Sequence, residues 1–392
     1  MPGKPALAFI WESFGPYHMD RCEAVGESLG KRYDIVGIEV AASSDVYAWA
    51  RSGDGRWFRK ITLFPGQTRN QVPWRQRLGA LRKVCGQVGA RTVFLANYER
   101  PDIFFLAASL RLAGKSPVTM QASKFDDRPR RLWREMSKTV LYSPYRAALA
   151  GSPRTRDYLR LLGIPENRIF LGVDTVSLDR IRRLADAPPA PDGVAYAERH
   201  FTVIARFVTD KNLHRVLEAY ERYRRLAGDA ARGLHLCGSG LLEDRLRAMV
   251  TERGIAGVRF RGFLQAEALA KTLASTVCLL LPSVYEPFGL VVNEALAMGV
   301  PAILSDVCGA RDILVRTAVD GYVVEPDNAE GMAHLMLRVG HDEAEWRRLA
   351  INTARFAPLA DTAFFVQGVE KVLAALAPHR ADTGEPLTVR ER

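Results

Sequence analysis

Two glutamates, Glu286 and Glu294, are the side chains most suited to chemistry in this sequence, and they lie in the stretch LLLPSVYEPFGLVVNEALAMGVPAILSD. The stretch predicts an apolar strand, a Pro-containing loop and a helix that starts near Phe288 and Gly289. Glu286 precedes this start, and Glu294 lies about one turn inside the helix. The two carboxylates would therefore address different parts of one ligand, and sugar hydroxyls suit them better than phosphates. The alternative is that both are solvated surface residues.

The start of that helix is also a predicted anion site. A helix that begins at the carboxyl end of a parallel strand presents unpaired N–H groups and the positive end of its dipole. A diphosphate is the anion expected here, and Gly289 would let it approach the backbone. Arg206 and Lys211 bracket a second strand-to-helix turn in FTVIARFVTDKNLHRVLEAY. Two cations at such a turn suit a pyrophosphate, although an exposed basic turn is the alternative.

The segment EPFGLVVNEALAMGVP resembles the signature of retaining nucleotide-sugar glycosyltransferases of the GT-B fold. It is most similar to glycosyltransferase family four, whose hallmark is two glutamates separated by seven residues. The resemblance extends over residues 201–376 with clear motifs and more loosely over the N-terminal half.

The resemblance implies a role for each matched residue. Glu286 would contact the donor hexose, and Glu294 would bind the ribose. Arg206 and Lys211 would neutralise the donor diphosphate and the charge on the departing nucleotide, so that Glu286, Arg206 and Lys211 form the catalytic set. No metal or other cofactor is implied, because these cations and the helix dipole perform that role. The donor would also meet the loop before the helix, at Pro287, Phe288, Gly289 and Leu290.

Weaker signals place further residues beside the donor. Gly238 follows a strand in LCGSG, but a lone GxG is common in α/β turns. Gly262, Phe263 and Leu264 end the next strand, where the family holds the base partly through backbone atoms; simple strand-end packing is the alternative. Gly15 lies in the first loop, SFGPYH, where the family has glycines near the donor phosphates.

The acceptor side is predicted less directly. Members of the family often carry a histidine at the end of an N-domain strand, but this chain has TMQASKFDDRPRR there. Ser123, Lys124, Asp126 and Asp127 are therefore predicted to line the acceptor site, together with His18 of the first loop. The Asp pair is typical of a solvated turn and is not interpreted as a metal site.

Alternating strands and helices predict an α/β protein, and the resemblance implies two Rossmann-like doubly wound domains that face each other across a cleft. Residues 1–182 would form the acceptor-side domain, and residues 183–200, rich in Ala and Pro, a linker. The nucleotide-sugar domain would span 201–360. A helix over 361–378 would cross back to the N-domain, and 379–392 would be a disordered tail.

Composition narrows the class of protein. The 392-residue chain is 48% hydrophobic, yet no segment reaches the roughly 20 apolar residues of a membrane-spanning helix. Its beginning predicts a strand rather than a signal peptide, so the cytoplasm is the expected location. The five cysteines are odd in number and lack a CxxC pair, which argues against a disulfide framework and a zinc site.

Positive charge is concentrated in the N-terminal half. Residues 1–200 hold 32 Lys/Arg and 20 Asp/Glu, whereas residues 201–392 hold 23 and 24. One domain is therefore predicted to face something anionic. Docking at the inner face of a membrane would use aromatic side chains among the basic clusters, and the alternative is a solvated basic face with its aromatics packed inward. The aromatic residues concerned are Trp57, Phe58, Trp74 and Trp133.

The predicted function is the transfer of a hexose-type sugar from a nucleotide diphosphate sugar, with retention. The acceptor would be a saccharide, a lipid-linked molecule or a small molecule in glycan or glycoconjugate biosynthesis. Another GT-B enzyme, such as a phosphorylase or a nucleotide-sugar epimerase, is one alternative, and a non-catalytic basic binding protein is another. Nucleic acid is not a predicted partner, because its recognition motifs are absent from the sequence.

Overall fold

The computed structural model describes residues 4–43 and 53–377, which form two α/β domains. The N-terminal sheet has seven strands in the order β3-β2-β1-β4-β5-β6-β7, and all its pairs are parallel. Its elements are β1 Ala6–Trp11, α1 Pro16–Leu29, β2 Asp34–Ser43, β3 Arg59–Thr68, α2 Trp74–Gln87, β4 Ala90–Leu95, α3 Pro101–Leu112, β5 Ser116–Gln121, α4 Leu132–Tyr142, β6 Ala147–Ala150, α5 Pro153–Leu161 and β7 Ile169–Leu171.

The C-terminal sheet has six parallel strands in the order β10-β9-β8-β11-β12-β13. The elements around it are α6 Leu178–Ala185, β8 His200–Ile204, α7 Leu213–Ala227, β9 Leu234–Cys237, α8 Glu243–Glu252, β10 Val258–Gly262, α9 Ala266–Ala274, β11 Thr276–Leu281, α10 Val291–Ala297, β12 Ala302–Ser305, β13 Gly321–Val324, α11 Ala329–His341, α12 Glu343–Thr353, α13 Ala357–Ala360 and α14 Thr362–Leu376.

The central strands are buried on both faces because helices cover both sides of each sheet. Every residue of β1 (ALAFIW) and of β11 (TVCLLL) is buried. Such continuous apolar runs are typical of parallel sheets. The predicted α/β class and the two Rossmann-like domains are confirmed.

The chain changes domain earlier than the sequence indicated. Helix α6 packs its Leu178 and Ile181 side chains with Leu273 of α9, so residues 178–185 belong to the C-terminal core. The stretch from 183 on is not all linker either. Residues 183–185 end α6, and the N–H of Ala190 donates to the carbonyl of Met298 at 2.8 Å. The apolar face of α6 decides this placement, because it must be covered by the nearer core.

The last described helix, α14, returns to the N-terminal domain. Its Phe365 and Val369 side chains lie in one buried cluster with Phe9 and Leu149, and the helix contacts α1. The sequence predicted such a crossing helix at 361–378. The predicted disordered tail, 379–392, lies outside the described residues. No helix in the described ranges is both long and apolar enough to span a bilayer.

Candidate active site

The site is built where the strand order of the C-terminal sheet reverses. Strands β8 and β11 are neighbours in that sheet, but the chain leaves them toward opposite sides. Ligands of open α/β sheets bind at the carboxyl ends of strands at such a switch point. The loop after β8 carries Arg206 and Lys211, and the loop after β11 carries Glu286. The fold thus brings the two predicted motifs together.

Lys211 and Glu286 form an ion pair across these two loops. The Lys211 side chain is 16% exposed and the Glu286 side chain 10%. Ser283 Oγ donates to the same carboxylate oxygen at 3.2 Å. Because the pair is shielded but reachable from the cleft, its charges act more strongly there than in bulk water. Arg206 is exposed near the mouth of this loop pair.

The loop before α10 offers backbone donors. Gly289 has a φ of 103°, which a helix cannot contain, so α10 begins at Val291 and not at Phe288 or Gly289 as predicted. The N–H groups of Gly289 and Leu290 donate to no other described residue. The loop is fixed to the segment after β12, because the carbonyl of Phe288 accepts a hydrogen bond from the N–H of Ala310 at 2.9 Å. Two N–H groups therefore remain available to a ligand.

Glu294 lies inside α10 and faces the other domain. The hydroxyl of Tyr17, on α1, donates to Glu294 Oε1 at 2.8 Å. Burial raises the pKa of Glu294 to about 7, a shift that Tyr17 and Arg180 partly offset. The Glu294 carboxyl therefore changes its charge near neutral pH.

Lys124 joins the domains directly beneath Glu286. Its ammonium donates to the carbonyls of Glu286 and Pro287, at 2.9 and 3.1 Å, and pairs with Asp127. The Lys124 side chain is fully buried. Lys124 and Asp127, predicted to line an acceptor surface, therefore serve as a buried support for the Glu286 loop. An acceptor has no access to the ammonium in this arrangement.

The other predicted acceptor residues lie apart from this support. Asp126 is exposed and pairs with Arg154, which also binds Asp312 of the C-terminal domain at 2.9 Å. Ser123 is half-buried. Asp126 thus takes part in an ion-pair bridge between the domains.

His18 has a local partner. Its Nδ1 accepts the N–H of Gly15, the N-cap of α1, at 3.0 Å, and its ring packs on Trp11 with 4.8 Å between centroids. Burial, with help from the charge of Arg21, lowers the pKa of His18 to about 3. His18 is therefore neutral at physiological pH and holds the first loop in shape.

Gly238, which follows β9, is a glycine because the backbone packs closely at this position. A Cβ on Gly238 would lie 1.8 Å from the carbonyl oxygen of Ala205, and its φ is 145°. Gly238 thus lets the loop pack on the turn that carries Arg206. A Cβ on Gly262 would meet open space, while Phe263 beside it is exposed and Leu264 half-buried.

Tyr17 and Asp174 lie at the domain interface but were not predicted from the sequence. Tyr17 stands two residues after Gly15, but only the fold places it on Glu294. Asp174 is half-buried at the domain crossover, where desolvation raises its pKa to about 6. A Cβ on Gly151 would lie 2.2 Å from its Oδ2, so Gly151 makes room for this carboxyl. No spacing signal in the sequence links either residue to the cleft.

Two facing Rossmann-like domains with this cleft are the architecture of GT-B proteins, and solved structures support the assignment. Sucrose-phosphate synthase from Thermosynechococcus elongatus superposes with a TM-score of 0.72 at 19% identity, covering 95% of this chain and 99% of that chain. Anabaena HepE in complex with UDP and glucose gives 0.67 at 16%, covering 95% and 100%. At these identities the likeness shows the fold.

The C-terminal domain also resembles known proteins in sequence. Residues 193–356 match the model of glycosyl transferases group 1, so the C-terminal domain carries this family's features. An uncharacterised glycosyltransferase of Methanocaldococcus jannaschii is 32% identical over 164 residues, covering 42% of this chain and 41% of the relative. The O-antigen chain mannosyltransferase B of Escherichia coli is 28% identical over 203 residues, 51% of each. The chain spans about half the length of these relatives. The predicted resemblance is confirmed at the level of group 1 and the GT-B fold.

Proposed function

We propose that this protein is a retaining glycosyltransferase of family four, which moves a hexose from a nucleotide diphosphate sugar to an acceptor. The arrangement of Glu286 and Glu294 around the unpaired N–H groups of the 289–290 loop, beside Lys211 and Arg206, carries the proposal. A protein that only bound nucleotides would not need Glu286, a carboxylate suited to sugar hydroxyls, beside the cation Lys211.

Each group has a part in the proposed reaction. Arg206 and Lys211 neutralise the diphosphate, so that charge developing on the departing nucleotide is stabilised. Glu286 accepts hydrogen bonds from hexose hydroxyls and keeps the sugar aligned while positive charge grows at the anomeric carbon. Glu294 binds the ribose. No metal ion takes part in this scheme, because side-chain cations and backbone dipoles supply the positive field.

The donor and product test the proposal. UDP, GDP and ADP sugars would be screened by thermal shift, and the products of the stabilising donor identified by mass spectrometry. The UDP and glucose of the HepE complex and the mannosyl transfer named for the Escherichia coli relative support a hexose donor. An NMR spectrum should show that the product keeps the donor's anomeric configuration; inversion would remove the family-four assignment.

Donor binding is expected to weaken as the pH falls below about 7. The charged form of Glu294 accepts hydrogen bonds from ribose hydroxyls, and protonation removes an acceptor. Because the pKa of Glu294 is about 7, the loss begins near neutrality. Calorimetry from about pH 5.5 to 8 should use an intact nucleotide sugar. A free nucleotide has a terminal phosphate whose own pKa is about 6, and its titration would add to that of Glu294. Glu294→Gln should bind more weakly at pH 8 and show a flat profile. An equally steep profile in that variant would assign the pH dependence to another group.

At about pH 9, where the Glu294 carboxyl stays charged even though loss of the Tyr17 hydrogen bond raises its pKa, Tyr17→Phe is expected to tighten donor binding about 3- to 10-fold. The Tyr17 hydroxyl occupies a Glu294 oxygen that the ribose would need, and a hydrogen bond to a charged group contributes about 1.5–3 kcal/mol, part of which the ribose must replace. Calorimetry on the donor measures the change. Tyr322→Phe is the matched control, because Tyr322 donates to Glu345 in a similar buried pair away from the cleft. Weaker binding by Tyr17→Phe would instead make Tyr17 a donor contact.

A further inference from the structure

Helix α4 exposes four large apolar side chains. Leu132, Trp133, Met136 and Val140 are each 61–64% exposed. At 100° per residue these positions fall within about a quarter turn of the helix, so they form one continuous stripe. Single exposed apolar residues are ordinary, but a contiguous stripe on a short helix marks an interaction surface.

The orientation of α4 is set by its opposite side. Glu135 and Tyr142 are the buried residues of the helix. The Glu135 carboxylate accepts the hydroxyl hydrogen of Tyr158 on α5 and pairs with Lys138 at 2.9 Å. The apolar stripe therefore faces solvent because polar contacts hold the other face against the domain.

The surroundings of the stripe are cationic. Residues 128–138 contain five Lys/Arg, and their single acid, Glu135, is buried and paired. The guanidinium of Arg134 lies 5.1 Å from the centre of the Trp133 ring. An apolar stripe with a basic border fits a bilayer that carries anionic lipid. Two copies of such a surface would repel each other, so charge disfavours self-association.

The stripe is joined to the candidate active site by a short ordered segment. Arg128 stacks on Tyr285, next to Glu286, at 4.3 Å. Arg130 donates to the carbonyl of Lys124, the residue that supports the Glu286 loop, at 2.6 Å. A bilayer that contacts α4 would therefore lie close to the mouth of the cleft.

We infer that α4 docks the protein on an anionic phospholipid surface, where it would present the cleft to an acceptor with a lipid anchor. The docking is inferred from the α4 stripe alone, whereas the class of acceptor rests on the proposed function.

The structure revises the set of exposed aromatic residues that the sequence predicted. Trp133 belongs to the stripe, Trp57 is 48% exposed but lies beside α1 and not on α4, and Phe58 is buried. Trp74 is half-buried and stacks on Phe105 at 5.6 Å.

Vesicle co-sedimentation of the full chain, without donor, tests the docking. Vesicles of phosphatidylcholine alone and with about 30% phosphatidylglycerol would be compared at about 50 and 500 mM salt, since exposed charges are screened at the higher value. We expect binding to the acidic vesicles at low salt and at least a tenfold lower partition at high salt. Equal, negligible sedimentation with both vesicles at low salt would overturn the inference.

Matched double variants assign the surface. Trp133→Ser with Met136→Ser should lower partition at least tenfold, while Leu241→Ser with Ile351→Ser, also highly exposed but in the C-terminal domain, should bind like the wild type. Turnover on a soluble acceptor should be unchanged in the first variant, which separates failed docking from a failed enzyme. Wild-type partition of that variant would refute the role of α4. If light scattering shows that the wild type is a dimer and that this variant is a monomer, the stripe mediates self-association, and the membrane-docking inference is refuted as well.

Discussion

Lys211→Ala is expected to lower kcat/KM by about 30- to 1000-fold, equivalent to about 2–4 kcal/mol of transition-state stabilisation. The variant removes the ammonium that would meet the leaving diphosphate. It also leaves the Glu286 carboxylate with Ser283 as its remaining side-chain partner among the described residues. A partly shielded negative charge would then face an anionic ligand. Steady-state kinetics on the identified donor would measure the effect.

Two further variants define this result. Arg206→Ala should lower kcat/KM at least tenfold. Because the Arg206 side chain is exposed, the substitution should leave the fold unchanged. Lys271→Ala is the control, because Lys271 pairs with Glu267 on the surface of α9, and such pairs contribute little. Folded Lys211→Ala or Arg206→Ala protein with wild-type turnover would show that the residue does not act on the diphosphate.

Glu286→Gln is expected to lower kcat by about 100-fold or more while nucleotide diphosphate binding changes only a few-fold. The amide keeps the shape of the side chain but loses the charge that complements positive charge at the anomeric carbon. It also loses the ion pair that orders Lys211. Turnover would be measured with the donor, and nucleotide affinity by calorimetry.

A loss of turnover without a matching loss of nucleotide affinity would show that Glu286 acts on the sugar and not on the nucleotide. Glu252→Gln, at the exposed end of α8, is the control and should match the wild type in both. A parallel loss of nucleotide affinity and turnover would mean that Glu286 positions the whole loop. Unchanged turnover would place the reacting sugar elsewhere.

The local features of the site could be predicted from the sequence. The apolar runs of β8 and β11 indicate buried parallel strands, and the motifs that follow each of them contain the residues that meet at the switch point. Gly289 was predicted to allow close approach, and the structure gives it a φ that favours glycine. These features depend on periodicity and on neighbours along the chain, so short segments carry enough information.

Two features were predicted less well: the residue at which α10 begins, and which of the two domain cores buries the apolar face of α6. The sequence PFGLVV gives no sign that Gly289 turns the chain before the helix, because tertiary contacts set its φ. The amphipathic pattern of α6 shows that one face is buried, but not which core buries it. The crossover therefore lies before α6, several residues earlier than predicted.

By itself, the sequence determined two α/β domains, the pairing of each motif with a strand end, and the candidate donor residues Arg206, Lys211, Glu286 and Glu294. Only the tertiary structure decided what the N-terminal domain contributes to them. Tyr17 reaches Glu294 across 277 residues, and Lys124 reaches the Glu286 carbonyl across 162. Such contacts arise from how two separately folded cores dock, and their residues follow no common period along the chain. Spacing along the sequence therefore contains no signal for them.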